Sequence, residues 1–426
     1  MEKDSLIYRT YVEILRRELI CAMGCTEPIA IAYCAARARA ALGSLPERME
    51  IEASGNIIKN VKSVVVPNTN GARGIAVAAA IGVLGGDETA QLQVISHVSE
   101  EAKAGITDFL AAVPVRISTA QSGRLLDITV TLFRGESYAR VRIADEHTNV
   151  VLVEKDGVVL ESKPLDEEEA TEDDAPDYLL LSVRDIYDFA TTCDLADVAS
   201  ILARQIELNT AIAEEGLRND YGANIGKVLL KTGSDVRTRA KAYAAAGSDA
   251  RMNGCEMPVV INSGSGNQGM TASLPVIEYA KELHTDEEKL YRALLISNLV
   301  TLHEKTSIGR LSAYCGAVSA GAGAGAGIAY LHGGDARDIA HTIVNALAIT
   351  SGIVCDGAKS SCAAKIAMSV EAGIFGFEMF QNGQQFLGGD GLVVKGVENS
   401  ISNFGRLGRI GMRETDLEII RMMTEC

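Results

Sequence analysis

The chain has 426 residues, 47% of them hydrophobic but only 5% aromatic, with no Trp, 41 Gly, 8 Pro and a formal net charge of −16. That length is long for one simple core, so two lobes are expected, with an interior of Ala, Ile, Leu and Val in closely packed helices. The acidic balance argues against a nucleic-acid binder, which shows a basic face, and against attachment to an anionic membrane surface.

The start, Met1 to Ser5, lacks the basic-then-apolar pattern of a signal peptide. No run of eighteen strongly apolar residues occurs, and 311–330 is mostly Gly and Ala, a poor membrane span. A cytoplasmic, reducing setting is expected, where the nine cysteines are free, catalytic or metal-bound rather than disulfide-paired.

Apolar residues at helical spacing (Leu6, Ile7, Tyr11, Ile14, Leu15, Leu19) predict a helix over 5–22 that stops at Gly24. A second helix is expected from Pro28 to Ala41, since Pro suits a first helical turn. The linking Gly24-Cys25-Thr26-Glu27-Pro28 has two readings. A thiol at a helix start has its pKa lowered by backbone N–H groups and the helix dipole; the plainer reading is a turn with an incidental thiol.

Residues 49–66 read as two strands around Ser54-Gly55-Asn56, on the β-branched pairs Ile57-Ile58 and Val64 to Val66. The polar loop Pro67 to Gly74 precedes an Ala-rich helix, 75–84, and suits either an anion site with Arg73 as a bidentate carboxylate grip or an ordinary Asn-Gly turn. From about 90 to 163 the pattern is α+β: a helix at 97–112, then strands near 115–119, 125–134, 137–143, 150–155 and 157–162, a meander on a helix. The acidic runs Asp166 to Glu169 and Glu172 to Asp174 read as a solvated linker.

After about 180 the chain reads as helices, at 183–190, 195–215, 221–246, 270–283, 287–302, 312–331, 335–351, 360–373 and 412–423. The Gly and Ala alternation of 316–327 implies backbones in close approach, because each Gly costs about 1 kcal/mol in a helix interior. The apolar run Met257 to Asn262 leads into Ser263-Gly264-Ser265-Gly266-Asn267-Gln268-Gly269. This matches G-x-G-x-x-G, but a dinucleotide site needs a further strand ending in an acidic residue, and helices follow instead. A polar loop capping a helix N-terminus, able to bind a small carboxylate, fits better. The histidines make no metal-ligand pattern; His303 reads as a capping residue.

Cys355 and Cys362 stand seven positions apart in a small-residue segment, and Cys315 lies forty residues upstream. Three thiols that a fold brings together suit a metal or an iron–sulfur cluster, whereas paired cysteines are otherwise core residues. Cys21, Cys34, Cys193 and Cys255 read as packing. Cys426 is the last residue, either a frayed terminus or a thiol on a tail within reach of such a site.

Gly24-Cys25-Thr26-Glu27-Pro28, Ser263 to Gly269, Tyr314-Cys315-Gly316 and Val354-Cys355-Asp356-Gly357-Ala358-Lys359 together resemble the L-cysteine desulfidase family, which is related to the alpha part of the iron–sulfur L-serine dehydratases. The resemblance runs in order along nearly the whole chain. It implies a 4Fe–4S cluster on Cys315, Cys355 and Cys362, and β-elimination from a small amino acid without pyridoxal phosphate. Cys25 stands where the dehydratases have the His of Ser-Ser-His-Thr and is the implied base. Thr26, Asn70, Arg73, Ser263, Ser265 and Asn267 are implied to hold the substrate's carboxylate and amine. The spacing from the second to the third cysteine is shorter here than in the dehydratases. The implied reaction takes L-cysteine to pyruvate, ammonia and hydrogen sulfide. L-serine dehydration by the same chemistry and a non-catalytic small-ligand-binding protein are the alternatives. The expected architecture is α+β: a mainly helical catalytic lobe (1–46 and 179–426) with a smaller α+β lobe inserted at 47–178. A homodimer is expected.

Overall fold

A computed structural model describes residues 1–165, 176–309 and 312–424. The acidic runs at 166–174 and the terminal Cys426 lie outside the described residues. The first third holds α1 (Leu6–Glu18), β1 (Cys21–Met23), α2 (Thr26–Leu42), β2 (Arg48–Ala53), α3 (Gly55–Val61), α4 (Ile75–Gly85) and α5 (Glu100–Ala112). A run of strands follows: β3 (Val115–Thr119), β4 (Asp127–Arg134), β5 (Ser137–Ala144), β6 (Val150–Lys155) and β7 (Val158–Ser162). Next come α6 (Val183–Thr192), α7 (Ala199–Arg218), α8 (Ile225–Leu230), α9 (Val236–Met252), β8 (Pro258–Val260), α10 (Gly266–Glu282) and α11 (Glu287–Ile308). The chain closes with α12 (Gly316–Leu331), α13 (Ala336–Thr350), α14 (Cys362–Gln381), α15 (Val397–Arg406) and α16 (Arg413–Thr424). This is the expected α+β fold, mainly helical with a smaller sheet-bearing part.

The larger sheet has the order β3-β2-β4-β5-β6-β7, with β2 parallel to β3 and every other pair antiparallel. It is a meander entered by β2 rather than a plain meander. Ile128, Val130 and Leu132 on β4 alternate onto one buried face, as period-2 patterning requires. Val141 and Ile143 continue that face on β5, and α2 covers it. The two N-terminal helices therefore divide. Tyr11, Ile14 and Leu15 of α1 join the helical core beside Phe189, while Ile29, Ile31 and Cys34 of α2 belong to the sheet's core.

Several sequence expectations fail locally, among them the strand over Val64 to Val66, where only an isolated bridge from Val65 to Arg73 forms. The pair Ile57-Ile58 lies in α3, not a strand, because the segment is buried nearly all round and takes its pattern from tertiary contacts. The helix expected over 221–246 is broken at 231–235, where Asp235 caps α9 by accepting from Thr238 N–H. α15 was not expected at all.

The helical core is built around α12, which packs against α10, α11, α13 and α14. Its glycines are needed for close approach. A Cβ on Gly325 would sit 2.5 Å from the Gly373 carbonyl of α14, and one on Gly327 would sit 2.9 Å from the Ala293 carbonyl of α11. Gly321→Ala, whose methyl would overlap the Ser369 carbonyl, is expected to lower stability by about 2 kcal/mol, overpacking outweighing the ~1 kcal/mol gain in helix propensity. Gly352→Ala, with nothing within 4 Å, is the control; urea unfolding midpoints compare the two.

Candidate active site

A cavity of about 300 Å³ lies where the two cores meet. Leu125, Leu126, Asp145 and His147 reach it from the loops of the large sheet. The rest of its wall comes largely from the first turns of α2, α3, α10, α12 and α14. None of these five helices has a side-chain cap, nor have α4, α7, α8 and α15, whereas α1, α5, α6, α9, α11 and α13 are capped by Ser or Asp. The uncapped first turn of α10 leaves N–H groups and a positive dipole end at the cavity, an environment for anions.

The short segments before α12 and α14 pair with each other. Tyr314 and Val354 form an antiparallel bridge, with Cys315 N–H donating to Ile353 O at 3.2 Å and Cys355 N–H donating to Ala313 O at 2.6 Å. Cys362 opens α14. The intervening turn explains its sequence. Asp356 holds both Lys359, at 2.7 Å, and Lys365. Lys365 also donates to Val354 O at 2.9 Å. Gly357 takes φ +91° against the Lys59 carbonyl, where a Cβ would overlap. Cys315, Cys355 and Cys362 all line the cavity.

These three thiols feel one another. Burial, then the neighbouring Cys355 and Cys362, push Cys315 up to about 12. Burial and Cys355 also raise Cys362, against the pull of Lys359 and Lys365. Among the described residues no three His, Cys, Asp or Glu side chains stand close enough to close on one metal ion. Three soft thiol donors on one cavity wall are the donor type that an iron–sulfur cluster takes.

Cys25 is the N-cap of α2 and also lines the cavity. Its placement matches the sequence reading, but its ionisation does not. Burial first, then the Glu27 charge, push the thiol well above its ordinary value, and Arg251 only partly opposes them. Cys25 Sγ donates to Glu27 Oε2 at 2.9 Å. Burial would raise Glu27 too, but His147, the Cys25 thiol, its own backbone N–H and Arg251 outweigh it and hold the carboxyl below its usual range. Asn60 donates to its other oxygen at 2.9 Å. The pair therefore carries one negative charge at neutral pH, on Glu27.

Of the remaining expected residues, Thr26, Ser263, Ser265 and Asn267 line the cavity, and Thr26 Oγ1 donates to Gly264 O at 3.2 Å. Asn70 and Arg73 do not. Both are exposed, and Arg73 donates to Ser63 O at 3.0 Å, so the loop at 67–74 is a local turn. The G-x-G-x-x-G stretch follows β8, which pairs only with β1, so the sheet a dinucleotide fold requires is not built around it. His303 Nε2 lies 2.6 Å from Glu398, away from the cavity wall.

Sequence reasoning missed Glu27, His147, Arg251 and Gln268 on this wall. Glu27 sat inside a motif already singled out. Arg251 carried a weaker signal, a cation in the last turn of an Ala-rich helix that the fold buries to 3% exposure. No helix is long and apolar enough to cross a membrane among the described residues.

A family model described as serine dehydratase alpha chain matches residues 89–421. A UPF0597 protein of Desulfitobacterium hafniense (strain Y51) is 58% identical over 425 residues, spanning 99% of this chain and 98% of that protein. One from Lachnoclostridium phytofermentans is 52% identical over 418 residues, spanning 98% and 100%. One from Fusobacterium nucleatum is 43% identical over 420 residues, spanning 97% and 98%. The chain belongs to the serine dehydratase alpha chain family.

Proposed function

We propose that this cavity eliminates the β-substituent of a small L-amino acid, with L-cysteine as substrate and pyruvate, ammonia and hydrogen sulfide as products. The observation that carries the reading is four thiols on one cavity, three in mutual electrostatic range and the fourth hydrogen-bonded to a buried carboxylate. Cys315, Cys355 and Cys362 would hold a 4Fe–4S cluster. Such a cluster would supply Lewis-acid chemistry for the departing sulfide.

The chain's own residues supply the proton chemistry. A Cα–H is a weak acid and needs a close, correctly charged base. Cys25 is placed as that base, and Glu27 accepts its Sγ–H proton at 2.9 Å as the thiol takes up the Cα proton. A free thiolate beside an ionised Glu27 would put two anions in a buried site, so the transfers are coupled. The uncapped first turn of α10, with Ser263, Ser265 and Asn267, faces the substrate's carboxylate.

The test is anaerobic preparation with iron and acid-labile sulfide measured per chain, followed by turnover of L-cysteine and L-serine. About four irons and pyruvate formation from L-cysteine are expected. Iron-free protein that turns neither substrate over defeats the reading. The family match favours a second reading, dehydration of L-serine, in which hydroxide leaves instead of sulfide; the ratio of the two turnover rates decides.

A further inference from the structure

Arg251 is buried to 3% exposure, yet among the described residues no carboxylate lies within ion-pairing distance of it. Its one hydrogen bond runs from a terminal guanidinium nitrogen to Asn267 Oδ1 at 3.3 Å, and its buried Nε has no partner. The ionised Glu27 acts on it only from beyond ion-pair contact, and a guanidinium taken out of water with no anion in contact is disfavoured unless a ligand completes it. It borders the cavity beside the uncapped first turn of α10, a helix of 17 residues.

The surrounding sequence makes room for it. Gly266, the first residue of α10, lies so close that a Cβ there would overlap Arg251 Nε. Gly316 does the same for Gln268, whose amide oxygen is also buried without a partner. The other cations on the wall are placed differently: Lys59 is paired with Asp416, and Lys305 comes from α11. Arg251 acts on both Cys25 and Glu27 electrostatically, so an anion held on it lies beside the proposed base.

We propose that Arg251, with the N–H groups opening α10, is the anchor for the substrate's α-carboxylate. The guanidinium offers a planar fork to that carboxylate, and the helix end adds N–H donors from the side. A carboxylate fixed there leaves the α-carbon facing Cys25 and the side chain toward the three thiols. The site is thereby restricted to α-amino acids with a free carboxyl group. This rests on the elimination reading above, but its first test does not need turnover.

Binding of L-alanine, which has the carboxylate and amine but no leaving group, is measured by calorimetry on the full chain, with ethylamine as the carboxylate-free probe. The wild type should bind L-alanine and not ethylamine. Arg251→Gln should weaken L-alanine binding about 30-fold or more, and Arg251→Lys less. Gly266→Ala, which crowds Nε while keeping the charge, should also weaken it, and an unchanged unfolding midpoint in either variant shows that the fold is kept. In turnover, Arg251→Gln should raise KM for L-cysteine far more than it lowers kcat, and narrow the preference for L-cysteine over cysteamine. Equal L-alanine binding by wild type and Arg251→Gln, or no L-alanine binding by the wild type, overturns the anchor. L-alanine binding that depends on Arg251 without any elimination keeps the anchor and removes only the reaction.

Discussion

Cys25→Ala is expected to reduce pyruvate formation by a factor on the order of 10²–10⁴ while leaving the iron content and cluster absorbance intact. The residue sits at the N-cap of α2, on the cavity wall, with Glu27 at 2.9 Å as its hydrogen-bond acceptor. Removing Sγ removes the atom proposed to take the Cα proton, and the Thr26 hydroxyl, engaged with Glu27 and Gly264 O, does not replace it. Loss of iron in the same variant would make Cys25 a cluster ligand instead of a base. Glu27→Gln separates the two roles of the carboxylate. If Glu27 receives the Cys25 proton, turnover falls by about 10–100-fold. Alkylation of Cys25 by iodoacetamide becomes faster in that variant, because the charge that disfavours the thiolate has gone. Activity that rose in step with alkylation would show that Glu27 only opposes ionisation.

That contrast also shows what a linear sequence carries and what it omits. The Gly-Cys-Thr-Glu-Pro turn placed Cys25 correctly at a helix start, a local property fixed by Gly24 and Pro28. Its ionisation is a tertiary property: burial, and the charge that Asn60, His147 and Arg251 hold on Glu27. The strands β4 to β6 were legible because period-2 alternation shows directly where one face is buried. α3 was not, because a seven-residue segment buried nearly all round has no period to read. The Gly and Ala run of α12 implied close neighbours, and those neighbours are the backbones of α11 and α14. Arg73 and Arg251 show the limit most directly. Both stand near glycines and a helix end in sequence, but Arg73 turns back on the Ser63 carbonyl, while the fold carries Arg251 under the first turn of α10, 15 residues further on.

Cys315→Ala should remove both iron and acid-labile sulfide, and with them all turnover, in one step. Cys315 is held by paired backbone on both sides: its own N–H on Ile353 O, and Cys355 N–H on Ala313 O. Its backbone is therefore held beside that of Cys355, and the Asp356–Lys365 pair ties the turn to α14, which Cys362 opens. Without Cys315 only two of the three thiols that would hold the cluster remain, and the loss of a metal ligand is not made up by neighbouring packing. The fold should survive, because the bridge is made by backbone groups and Cys315 is only partly buried. The control is Cys34→Ala in the core of the large sheet, where Sγ donates to Val141 O at 3.3 Å. That change should lower the unfolding midpoint by an amount corresponding to about 1 kcal/mol and leave the iron content untouched. Full iron in Cys315→Ala would place the cluster elsewhere. An equal iron loss in Cys34→Ala would mean that cluster content reports folding and not ligation.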